Sequence, residues 1–300
     1  MRTIITTFSS LFLAGAAAAE GLSNHAPVIT PDGFPFQITN SMVMVWIMAI
    51  ILIIIAQLAT RKMTLIPTGL QNLVEWVVES LQSFLSGIMG EQLAKRTFWF
   101  FASLFILILG VNWLGLLPGV GTIGWDISES GHVYTPLLRG GNADLNMTLA
   151  MAVTFAVLWF YWAITENGFG GFFAHIFAPK GKFSGLMKIG MFIIFAMVGL
   201  IEVASILLRP VALSFRLYGN VFAGENLLEG MIKLLPVYLA WIPPLPFYFL
   251  ELLVGLIQAL VFTLLTAVFL KLICDHGDHD EENAHSVSYT HLTLPTIYSV

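Results

Sequence analysis

Charged and amide side chains stand inside the two longest apolar stretches of this chain: Glu202, Arg209, Arg216, Asn220 and Glu225 between Ile189 and Leu235, and Glu251 and Gln258 between Phe247 and Ile273. An ionised side chain at mid-membrane depth costs at least about 2.5 to 3.5 kcal/mol on insertion scales and marks a functional site by default. Arg209 lies nearer one end of its stretch and has a second reading, an arginine that snorkels to the interface. Arg216 lies deeper. At about 100° per residue, Glu202, Ser205, Arg209 and Asn220 all fall within about 40° of Arg216 and form one polar stripe on a helix. Ala212, Gly219 and Ala223 border that stripe with small side chains that let another helix approach closely. The face is built to meet a partner, not lipid.

Spacing also separates two levels of chemistry. Glu225, nine residues beyond Arg216, is turned about 180° from it and raised about 13.5 Å along the axis, so it cannot be its ion partner. Glu251 and Gln258, seven residues apart, share a helix face. A hairpin sets Gln258 at the level of Arg216 and Glu251 at the level of Glu225. The two glutamates then read as proton-exchanging carboxylates that can share a proton, the plainer alternative being acids at headgroup level. Arg216 has no visible anion in its own chain. Because an unpaired buried cation is strongly unfavourable, the missing carboxylate is expected from another subunit facing the stripe.

These groups need elements to hold them in a bilayer. Of 300 residues, 57% are hydrophobic and 10% charged, against about 25% charged in a soluble domain. The net charge of −5, with the acids clustered in the tail, carries no nucleic-acid signal, and the lone cysteine, Cys274, forms no intrachain disulfide. Spans are expected at 42–59, 97–117, 145–165, 189–235 and 247–273, each with the length or apolarity to cross about 30 Å of hydrocarbon. The fourth is too long for one perpendicular crossing and must tilt or bend. Leu70, Leu73, Val74, Val77, Val78, Leu81, Phe84, Leu85 and Ile88 recur at three- and four-residue steps among Glu75, Glu79, Gln82 and Ser86. That periodicity predicts a helix on the membrane surface, with packing on a soluble partner as the alternative. Lys and Arg concentrate at Arg61, Lys62, Lys95, Arg96, Lys180, Lys182, Lys188 and Lys271, which places those loops in the cytoplasm, the N-terminus outside and the C-terminus inside. Arg139 is the one base of the polar outer loop 119–143.

The fold class expected is an all-α integral membrane protein of five membrane helices and one amphipathic surface helix, the last two long helices forming a tilted hairpin. Arg2, the apolar run Ile4–Gly15 and Ala16–Ala19 read as a signal peptide over 1–19, or as an uncleaved amphipathic N-terminus. Residues 20–41 lie outside, 274–285 form an acidic cytoplasmic tail, and 286–300 match neither pattern and read as a non-native extension. No nucleotide loop, internal repeat, cofactor motif or metal motif is visible.

RPVALSFRLYGNVFAGE, from Arg209 to Glu225, resembles the signature of subunit a of F-type ATP synthases, and LIQALVFTLLTAVFL, from Leu256 to Leu270, resembles that family's last helix. VNWLGLLPG and ADLNMTLAMA also fit, so the resemblance extends over roughly 35–271. It implies a non-catalytic, ion-translocating subunit of the bacterial inner membrane, with the c-ring, the subunit b stator, the lipid bilayer and protons as partners. Arg216 is implied to face the ring carboxylate, flanked by Asn220 and Gln258. Glu225 and Glu251 are implied to line the outer half-channel, with Glu202 and Arg209 towards the cytoplasmic exit and Asp144 and Asn146 shaping the outer entrance. Many members carry a histidine at one of the two acid positions, whereas here both are Glu. An autonomous secondary transporter, which usually shows repeated halves, and a non-catalytic assembly factor are the competing readings. Neither predicts Arg216, Glu225 and Gln258 together.

Overall fold

A computed structural model of the chain describes residues 26–30, 37–117, 120, 124–127, 133–177, 186–232, 234, 239 and 242–274. The expected signal peptide, the acidic tail beyond Cys274 and the closing extension lie outside the described residues. In hydrocarbon every backbone amide and carbonyl must be satisfied within its own segment, which leaves helices as the solution for long apolar runs. The described residues accordingly form α1 (Asn40–Thr60), α2 (Leu70–Met89), α3 (Glu91–Gly115), α4 (Leu145–Phe177), α5 (Leu186–Ile232) and α6 (Pro244–Cys274). Five of them have the length and apolarity to cross a membrane, over Asn40–Thr60, Glu91–Gly115, Leu145–Phe172, Ile194–Ile232 and Pro244–Cys274. The chain is an all-α, multi-pass membrane protein.

Local sequence sets most boundaries. Thr39 caps α1, its hydroxyl accepting from the Met42 amide at 3.4 Å. Gly69 (φ 61°) and Gly90 (φ 84°) adopt the left-handed conformations that bracket α2, so the chain turns from α2 into α3 at one glycine. As a result α3 starts at Glu91, six residues before the expected Thr97, and takes Lys95 and Arg96 into its first turns. Pro244 and Pro246 open α6, where the missing proline donor costs nothing. α5 runs unbroken through Pro210 for 47 residues, about 70 Å at 1.5 Å per residue.

Two features depart from the expected plan. The third span does not stop near Thr165: α4 continues to Gly168 (φ 68°, ψ 163°), where the chain breaks and doubles back. Phe172 then packs edge-on against Trp159 and Phe160, at centroid distances of 6.3 and 5.4 Å. The loop before α4 also holds a short antiparallel ladder, β1 (Gly124–Ile127) on β2 (Val133–Pro136), followed by a 3-10 turn at Gly141–Ala143.

One apolar core joins α2 to α6: Leu85 from α2, Phe101 and Ile108 from α3, Trp159 and Trp162 from α4, Leu213 and Leu217 from α5, and Phe262 and Leu270 from α6. On α2, Leu81, Leu85 and Met89 are buried while Leu73 and Trp76 remain exposed, so only its second half docks on the bundle. At that end Arg96 pairs with Glu166, tying the start of α3 to α4. At the other end Asn40 donates to the Pro136 carbonyl at 2.9 Å, fastening the ladder to α1.

Candidate functional site

α5 and α6 pack as a hairpin, and their polar residues meet at two levels. At the first, the Asn220 amide donates to Gln258 Oε1 at 2.9 Å. One turn further along α5, Glu251 folds over the backbone of Gly224: a Cβ at that glycine would lie 2.2 Å from Glu251 Oε1. The absent side chain is what lets the carboxyl lie against the neighbouring helix. Asn220, Glu225, Glu251 and Gln258 line one cavity of about 20 Å³, closed by Val111, Asn112 and Gly115 of α3, by Leu116 just after it and by Gly140. That volume holds about one water molecule, and the lining supplies polar partners for it.

α3 and the turn before α4 fix this wall. Asn142 donates to Asn112 Oδ1 at 2.7 Å, and Asn112 in turn donates to the Gly255 carbonyl of α6 at 3.1 Å. Trp113 adds a bond to the Leu252 carbonyl at 3.1 Å. Asn112→Ala removes two of these links. Since a hydrogen bond between membrane elements contributes about 0.6 to 1.7 kcal/mol, thermal unfolding of the detergent-purified protein should show a loss of about 1 to 3 kcal/mol. An unchanged Tm would mean that the chain of amides holds nothing together.

Arg216 is placed differently. It is exposed on α5, does not line the cavity, and makes no ion pair or hydrogen bond among the described residues. Its neighbours on that face at helical spacing, Ala212, Ala223 and Leu227, are exposed and small or apolar. Gly219 and Gly230 share the face and look onto open space, since nothing lies within 4 Å of a Cβ built on either. The stripe of small residues thus packs on nothing among the described residues at Gly219 and Gly230.

The remaining residues fall elsewhere. Arg209 pairs with Glu202 at 3.0 Å and lies 4.5 Å from the Phe269 ring centre, about 24 Å along α5 from Glu225 at 1.5 Å per residue. Asp144 is buried and accepts from the Asn146 amide at 2.9 Å, starting α4; Asn146 itself is exposed, and neither lines the cavity.

One residue joins the site that the spacing did not place there. Arg139, read as the base of an outer loop, is 4% exposed, and its Nε stands 3.5 Å from Glu225 Oε2. The charged group within ion-pairing range of Glu225 is therefore this arginine. The one sequence signal was compositional, Arg139 being the single Lys or Arg between Gly119 and Ala143, and it named no partner.

The sequence profile of the family described as ATP synthase A chain matches residues 42–271. The chain belongs to the ATP synthase subunit a family. ATP synthase subunit a of Gloeobacter violaceus is 31% identical over 241 residues, 80% of this chain and 86% of that protein. The subunit of Solidesulfovibrio magneticus is 33% identical over 247 residues, covering 82% and 89%. That of Campylobacter jejuni subsp. doylei is 34% identical over 225 residues, covering 75% and 85%. The matched region runs from within α1 to within α6 and takes in all the residues of the cavity.

Proposed function

We propose that this member of the subunit a family is the proton-conducting stator subunit of an ATP synthase, working against a rotating ring of small subunits that each bear a membrane carboxylate. The observation that carries the proposal is Arg216: a guanidinium on an exposed, apolar and small-residue face of α5, with no counter-charge among the described residues. A cation held there is stable only opposite an anion brought by another chain.

Each half of the path has its own residues. On the outer side a proton passes the cavity of Glu225 and Glu251 to a ring carboxylate, which Asn220 and Gln258 orient by hydrogen bonding. The neutral site can then enter lipid, which an ionised one cannot do without a large desolvation cost. After almost a full turn the site returns, and Glu202 with Arg209, at the other end of the same helix, receives the proton on the cytoplasmic side. Arg216 stands between the two, favouring the ionised carboxylate by its charge and separating the half-channels. α5, at about 70 Å, is more than twice the hydrocarbon thickness, and a strong tilt lets it follow the ring's curve. Asp144 and Asn146 shape the outer entrance, and subunit b braces the stator.

The face is testable in the assembled complex. A photoreactive amino acid at Ala212, exposed one turn before Arg216, should cross-link to the ring subunit, whereas the same residue at Leu217, fully buried, should not. Cross-linking from position 212 to lipid alone would remove the ring from this face.

A further inference from the structure

The path just described leaves one buried charge without a task. Arg139 lies between β2 and the 3-10 turn, 4% exposed, with its Nε 3.5 Å from Glu225 Oε2. Its guanidinium carbon stands 5.9 Å from the ring centre of Phe222, one turn before Glu225 on α5. The next residue, Gly140, is pressed against the same carboxyl, for a Cβ there would lie 2.2 Å from Glu225 Oε1. The Glu225 side chain is thus gripped from two sides by consecutive residues of one segment, and that segment is fixed to α3 and α6 through Asn142 and Asn112. Glu251 reaches the same cavity from α6, and Glu229 follows one turn along α5.

We infer that Arg139 is a positioning residue of the outer half-channel, holding the Glu225 carboxylate at the cavity wall where a proton reaches it. The inference rests on the half-channel reading above. Two physical points support it. A buried carboxylate is tolerated when a cation accompanies it, and a buried guanidinium needs the carboxylate equally, so each fixes the other. Gly140 adds a steric reason: only a residue without a side chain lets the loop close on Glu225 while Arg139 reaches it.

Proton flux per assembled ring, measured in membranes stripped of the ATP-hydrolysing portion, tests this with Arg139→Gln and Arg139→Lys, each alone and with Glu225→Gln. Arg139→Gln should lower flux about tenfold or more, the scale on which breaking a buried ion pair acts. Arg139→Lys should keep most of the flux, and in the Glu225→Gln background neither change should reduce the residual flux further. Wild-type flux in Arg139→Gln, an equal fractional loss in both backgrounds, or Arg139→Lys as poor as Arg139→Gln each overturns the role. If Arg139→Gln does not assemble, the double variant Arg139→Gln/Glu225→Gln decides: assembly restored by removing both charges supports the pair, and continued failure overturns it. Glu225→Gln alone separates the two levels of claim, because wild-type flux there would remove the half-channel itself, whereas impaired flux there with normal Arg139→Gln removes only the part given to Arg139.

Discussion

Glu225→Gln is expected to stop most ATP-driven proton pumping in inverted vesicles while leaving the complex assembled. The amide keeps the size of the carboxyl and its place in the cavity with Asn220, Glu251 and Gln258, but it cannot take up and release a proton. It also leaves the Arg139 guanidinium, 4% exposed, without its carboxylate, so the loss should exceed that of a purely titratable site. Glu251→Gln should act in the same direction and more mildly, because Glu251 lies over Gly224 with no cation in ion-pairing range among the described residues. Two carboxylates that share a proton can cover for each other in part, which makes the double variant the strictest arm. Normal acidification by both single variants and the double variant would make these acids structural.

Arg216→Lys is expected to abolish ATP synthesis or nearly so, although the charge is retained. A lysine ammonium is a compact, strongly hydrated donor without the planar fork that matches a carboxylate. The face of α5 around it carries exposed Ala212, Ala223 and Leu227, so water lost from the ammonium is not replaced by the chain. Breaking a desolvated ion pair costs about 3 to 5 kcal/mol, and each 1.4 kcal/mol is about tenfold in rate, so a loss of at least about a hundredfold is expected. Synthesis by Arg216→Lys within about twofold of wild type would show that any cation suffices there and that the fork geometry is immaterial.

Helical spacing made the hairpin legible before any coordinates. Once Arg216, Asn220 and Glu225 are put on one helix and Glu251 and Gln258 on the next, the register follows to within a turn: Glu251 meets the turn of Glu225, while Gln258 meets Asn220, one turn beyond the Arg216 level expected for it. The five spans were legible for the same reason, long apolar runs having one stable form in lipid. Arg139 was not legible as a partner of Glu225 because loops carry no period: 86 residues separate the two, and nothing in the spacing says that residues 139–144 fold inward. The Asn112 and Asn142 link is hidden likewise, since each amide alone is an ordinary polar residue near a helix end. The reversal after Gly168 escaped notice because the sequence stays apolar through Phe169, Phe172 and Ile176, so composition gave no sign of the left-handed turn that ends the span.

The central claim is that Arg216 both pairs with a ring carboxylate and keeps the two half-channels apart, and Arg216→Ala addresses both parts in one preparation. Alanine removes the charge and the obstruction together, so a protonated ring site can move back and forth past α5 without net rotation. Membranes carrying Arg216→Ala with an intact ring, stripped of the ATP-hydrolysing portion, should conduct protons passively, while the unstripped membranes make no ATP. An assembled Arg216→Ala complex that synthesises ATP at near wild-type rates would show that Arg216 is only a structural cation, and would contradict the mechanism.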